Sequence, residues 1–123
     1  MNATDFFGPV ISTYTRKQAL QDGELIDLSR QARAGRIVWG MAITRGAYGV
    51  LEGEDDQQLT AARLDELIQL AKRTMAAAAN EVAAGTRLLM MFPLPGGDQP
   101  LDLHVGPDDD LQPCLTVMLA NED

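Results

Sequence analysis

Residues 59–82, LTAARLDELIQLAKRTMAAAANEV, form the longest run of the chain with a single period. Leu64, Leu67, Ile68, Ala71, Met75, Ala78, Ala79 and Val82 recur at spacings of three and four, which lines them along one face of an α-helix. The spacing predicts a helix over 60–84. The Thr60 hydroxyl caps its first turn, Leu59 and Leu64 staple it, and Gly85 ends it in a left-handed conformation. Asp65 and Glu66 lie toward the N-terminal end, where the helix dipole favours negative charge. An isolated helix is marginal in water, so this stripe requires an apolar surface from the rest of the chain.

Downstream of Gly85 the period shortens to two. Arg87–Leu94, Leu101–Val105 and Cys114–Leu119 read as strands, separated by the turn sequences PGGDQP (95–100) and GPDDDLQP (106–113). In the middle strand Leu101, Leu103 and Val105 alternate with Asp102 and His104, which sets an apolar face against a polar one. Short connections predict an antiparallel meander whose apolar face the long helix covers.

Upstream the signals are shorter. Thr15-Arg-Lys-Gln18 has the form of a capping box and opens a helix that Gly23 closes. Glu24–Asp27 is briefly extended, and Asp27 or Ser29 caps a second helix, Leu28–Ala34, closed by Gly35. Ile37–Ile43 is apolar on both faces and reads as a buried strand running through Val38. Thr44 caps a third helix, Arg45–Leu51, and Glu52–Gln58 is a polar link with four acids. Val10–Tyr14 is a further extended candidate. The expected fold is a single α+β domain over 1–123. It has an antiparallel three- to four-stranded sheet packed on one long helix, with short N-terminal helices.

The 123 residues suffice for one core, and 46% hydrophobic content supports one. A lone cysteine, Cys114, cannot close an internal disulfide, and Met1–Asp5 lacks the basic start and apolar run of a secretory leader. No stretch approaches the roughly 18 apolar residues of a membrane helix. A cytoplasmic protein without membrane contact is expected. The net charge of −8 is uneven: residues 1–50 carry four acids and six bases, and residues 51–123 fourteen acids and four bases. The acidic half disfavours nucleic acid and favours a protein partner with a basic surface.

Two blocks carry a resemblance. FGPVISTYTRKQALQDGELID (7–27), with Ala32–Gly35 and Ile43–Arg45 after it, and GPDDDLQPCLTVMLANED (106–123) resemble the opening and closing blocks of a family of small bacterial proteins common on plasmids, phages and other mobile elements. The middle, 46–100, matches poorly. The resemblance implies a genomic setting and no catalytic residue.

The side chains offer little reaction chemistry. Ser12 and Ser29 lie outside any nucleophile elbow, and no phosphate-cradling glycine motif occurs. His104 shares a strand face with Asp102, and Asp108–Asp110 can attract a hard cation, so a metal-dependent hydrolase using Asp102, His104 and Asp108–Asp110 is the enzymatic alternative. Solvated turns and a surface histidine explain the same residues more simply. Arg30, Arg33 and Arg36 form a small basic group better suited to structural salt bridging than to nucleic acid. No catalytic, metal or cofactor site is assigned, and an enzyme is not the favoured reading. That reading is a non-enzymatic binding protein of a mobile element, blocking a host defence complex through acids that include Glu52, Glu54, Asp55, Asp56, Asp108, Asp109 and Asp110. A third reading is a dimerising module with the alanine-rich end of the helix as its seam.

Overall fold

The computed structural model describes residues 15–80, 82 and 85–122; the extended candidate Val10–Tyr14 lies outside them. In chain order the elements are α1 Arg16–Asp22, β1 Leu25–Asp27, α2 Ser29–Ala34, β2 Gly40–Thr44, α3 Arg45–Leu51, α4 Gln57–Ala77, β3 Arg87–Phe92, β4 Gln99–Pro107 and β5 Pro113–Leu119. The strands make one five-stranded sheet in the order β1-β2-β5-β4-β3.

The α+β class and the C-terminal meander follow the sequence, but the sheet is mixed rather than antiparallel. β3–β4, β4–β5 and β1–β2 pair antiparallel, whereas β2 lies parallel to β5, with Gly40 opposite Cys114 and Ile43 opposite Val117. The reason is visible in the side chains. Met41, Ala42 and Ile43 are all buried, as are Cys114, Leu115, Thr116 and Val117, so both strands need cover on both faces. Continuous burial of this kind is the mark of a parallel pair. Val38, expected within the strand, precedes it and is 86% exposed.

Register then places the apolar residues on one face. Ile26 lies beside Ile43, Ile43 beside Val117, Val117 beside Leu103, and Leu103 beside Leu88; Met41, Leu115, Val105, Leu101 and Met90 complete that face. Leu64, Leu67, Ile68 and Ala71 of α4, Leu28 and Ala32 of α2, and Ala47 and Leu51 of α3 join it in one core. Each fully buried leucine or isoleucine contributes roughly 1.5–3 kcal/mol. The α2–α4 crossing is tight because Gly35 has no side chain: a Cβ there would come 2.6 Å from Ile68 Cγ2.

The long helix begins and ends earlier than its spacing suggests. Asp56, not Thr60, is the N-cap, with Oδ1 accepting from the Leu59 amide at 3.0 Å. Thr60 turns inward instead, accepting from the Gly53 amide at 2.8 Å and donating to the Asp56 carbonyl at 3.1 Å. Leu59, expected to staple the first turn, is an exposed large hydrophobic residue. The helix stops at Ala77, inside a run of four alanines that carries no stop signal of its own, and the Ala78 amide closes it on the Thr74 and Met75 carbonyls. Gly85, expected as the terminator, serves the sheet. At φ +88° it donates to the Val105 carbonyl at 2.6 Å while the Val105 amide donates to Thr86 O at 2.8 Å, a bulge that starts β3.

The short helices follow their local signals closely. Thr15 and Gln18 form the reciprocal capping box, and Thr44 caps α3 through the Ala47 amide. For α2 the cap residue is Leu28, without a side-chain bond. Asp27 Oδ1 accepts from the Ser29 amide, and Ser29 Oγ accepts from the Met41 amide at 3.1 Å, which pins the helix to β2.

Candidate functional site

α1 lies on the second face of the sheet, and the β4–β5 turn holds it there. Arg16 reaches across to donate from Nη1 to Thr116 Oγ1 at 2.7 Å and from Nη2 to the Leu115 carbonyl at 3.0 Å. In return the Asp109 carboxylate accepts from the Arg16 and Lys17 amides at 3.0 and 2.9 Å. Thr15 Oγ1 accepts from the Gln18 amide, and the Ala19 amide donates to the Thr15 carbonyl, so the first amides of the helix are all satisfied. These backbone bonds, from Lys17 first and Arg16 second, hold the Asp109 carboxyl below the ordinary aspartate range.

Asp108 is also committed locally. Its Oδ1 accepts from the Asp110 and Gln112 amides at 2.8 and 2.9 Å, building the turn in which Leu111 takes φ +64°. Of the three aspartates only Asp110 offers an exposed carboxylate without a partner among the described residues. A cleft of about 370 Å³ lies between α1 and this turn, with Asp27, Ser29 and Cys114 along it. Burial raises the pKa of the Cys114 thiol against a smaller opposing pull from Arg16, which disfavours the nucleophilic thiolate.

Asp102 and His104 do share the second face, but no hydrogen bond joins them among the described residues. Asp102 faces Arg87, 3.9 Å away, a long and partly exposed ion pair of little energetic weight. His104 lies opposite Arg87 on β3 and Thr116 on β5. Partial burial, then Arg87 and Arg16, shift its pKa below the ordinary histidine value and favour the neutral ring. Among the described residues no three His, Cys, Asp or Glu side chains converge as a metal site, and no helix is long and apolar enough to cross a membrane. Arg30, Arg33 and Arg36 are exposed, and among the described residues none of them forms the expected salt bridge.

The second acidic segment, Glu52–Asp56, lies between α3 and α4. Its backbone is fixed: the Glu52 amide donates to Tyr48 O, the Asp56 amide to Gly53 O, and the buried Gly53 amide to Thr60 Oγ1. Asp55 takes φ +51°, and Asp56 is occupied as the α4 cap. The side chains of Glu52, Glu54 and Asp55 are exposed and form no ion pair among the described residues; the nearby Arg63 guanidinium donates to the Leu51 carbonyl at 3.2 Å instead. A cleft of about 440 Å³ opens there, lined by Tyr48, Glu52, Asp55, Asp56 and Thr60. Tyr48 was not singled out from sequence, although its spacing of four before Glu52 places both on one side of α3.

The two acidic segments do not merge into one surface. Glu52–Asp56 abuts the first turn of α4, while Val82, beyond the other end of the helix, lines a cleft with Trp39 and Leu111 of the 108–112 turn. The helix between these two ends has 21 residues and is about 30 Å long. In comparison with known proteins, no family model, no curated protein and no solved structure matches this chain.

Proposed function

We propose that this chain is a non-enzymatic binding protein that holds a basic protein partner through Glu52, Glu54 and Asp55, with a lysine or arginine of the partner seated beside Tyr48. The observation that carries the reading is three exposed carboxylates with no ion pair among the described residues, on a segment whose backbone is already fixed. Preorganisation of this kind lowers the ordering cost of association. An aromatic ring beside carboxylates suits a cationic side chain, which gains from both the ring face and the charge. The resemblance of the two ends of the chain to mobile-element proteins points to a component of a host defence complex as the partner.

The 108–110 turn has a smaller part in this reading, because Asp109 and Asp108 already serve α1 and the turn itself. The same commitments weaken the hydrolase alternative, which needs those carboxylates turned with Asp102 and His104 toward one substrate.

Affinity capture from host lysate with the chain and its Glu52→Gln, Glu54→Gln, Asp55→Asn triple variant tests the proposal. A basic protein should be retained by the parent chain and released by added salt. The triple variant, whose changes are all on the surface, should stay folded and lose that retention by about tenfold or more. Retention that is equal for both chains rules the reading out.

A further inference from the structure

The two edges of the sheet are managed differently. β1 is three residues long and is bracketed by the exposed acids Glu24 and Asp27. Short, charged edges of this kind resist pairing with another strand. β3 at the other edge is six residues long and carries no charge after Arg87. On its outer face Leu89 is 62% and Met91 46% exposed.

The backbone of β3 is equally open. The Thr86–Val105 pair is hydrogen-bonded across β3 and β4. Antiparallel alternation then turns the amides and carbonyls of residues 88, 90 and 92 toward β4, and those of Arg87, Leu89 and Met91 away from the sheet. Among the described residues no other hydrogen bond takes up these outward groups.

We infer that β3 pairs antiparallel with β3 of a second copy of this chain, about a two-fold axis at Leu89. Charge selects the occupant. Although the half of the chain it belongs to is acidic, residues 82–97 hold no Asp or Glu and a single base, Arg87, so the side chains of this strand bring no acid-to-acid repulsion to a pairing of two copies. The alternation is also self-complementary. With the axis at Leu89, the outward residues 87, 89 and 91 of one copy face 91, 89 and 87 of the other, giving about six backbone hydrogen bonds. Leu89 meets its symmetry mate, Met91 covers the stem of the other copy's Arg87, and the two arginines stay at opposite ends of the seam. On the inner face Leu88 and Met90 of the two copies adjoin, so the two cores become continuous. This surface is distinct from the Glu52–Asp56 cleft, so a dimer leaves that cleft open.

Sedimentation equilibrium from micromolar to millimolar concentration tests the inference on the parent chain and two variants. The parent should show a monomer–dimer equilibrium. Leu89→Glu sets like charges directly opposite each other and should raise the dimer Kd about tenfold or more. Met91→Glu sets an acid opposite the other copy's Arg87 and should leave the Kd unchanged or lower. Amide exchange on the parent chain provides a check independent of any variant, with Leu89 and Met91 gaining protection as concentration rises. A monomer at every concentration, with no gain in protection, overturns the proposal and leaves the edge to a strand of another protein. A dimer that Leu89→Glu leaves intact, or one that both variants weaken equally, overturns it as well.

Discussion

Replacing Leu67 with alanine should remove about 2–5 kcal/mol from the stability of the fold, the range typical of a large aliphatic side chain cut back in a packed core. Leu67 is fully buried on α4, between Leu64, Ile68 and Ala71 and over the apolar face of the sheet. A domain of this size has about 5–15 kcal/mol in all, so the loss is a large share of the total. Urea denaturation followed by circular dichroism measures it as a shift of midpoint at constant slope. The neighbouring Gln69→Ala, on the exposed side of the same helix, should change stability by less than about 0.5 kcal/mol. A Leu67 variant as stable as the parent would show that α4 does not cover the sheet.

The second large effect belongs to the N-terminal half. Ile43→Ala should cost about 2–5 kcal/mol, because Ile43 is fully buried in β2 between Ile26 of β1 and Val117 of β5. Val38→Ala, in the same apolar stretch of sequence but outside the strand, should cost less than about 0.5 kcal/mol. The contrast separates this structure from one in which Ile37–Ile43 merely lies against a C-terminal meander. In that arrangement both substitutions would have small effects.

What was legible in the sequence is what local chemistry determines. The Thr15–Gln18 box and the Thr44 cap form within a single turn, and Leu101–Val105 shows its two faces through strict alternation. The stripe from Leu64 to Ala71 identified the covering helix in the same way. Competition between nearby signals hid the true helix start. Asp56 and Thr60 are both good capping residues, and the choice between them depends on Gly53, whose buried amide needs the Thr60 hydroxyl.

The parallel β2–β5 pair was not legible because no turn dictates it. The two strands are separated by two helices and a hairpin, and only their burial on both faces marks them as neighbours. The candidate site was partly legible for the same reason. The acids of Glu52–Asp56 are contiguous, whereas the use of Asp109 by the Arg16 and Lys17 amides joins residues 92 and 93 positions apart. Composition alone therefore assigned one acidic surface, where the fold separates one free cluster from one that is largely occupied.

The claim on which the architecture rests is that β2 and β5 run side by side in the same direction, joining the two halves of the chain in one sheet. Nuclear Overhauser contacts across that pair test it most directly. Parallel pairing predicts inter-strand amide-to-Hα contacts linking residues 41–43 with 115–117, with Met41 beside Leu115 and Ile43 beside Val117. Strong Hα-to-Hα contacts between the same segments, the mark of antiparallel strands, or no contacts between them at all, would contradict it.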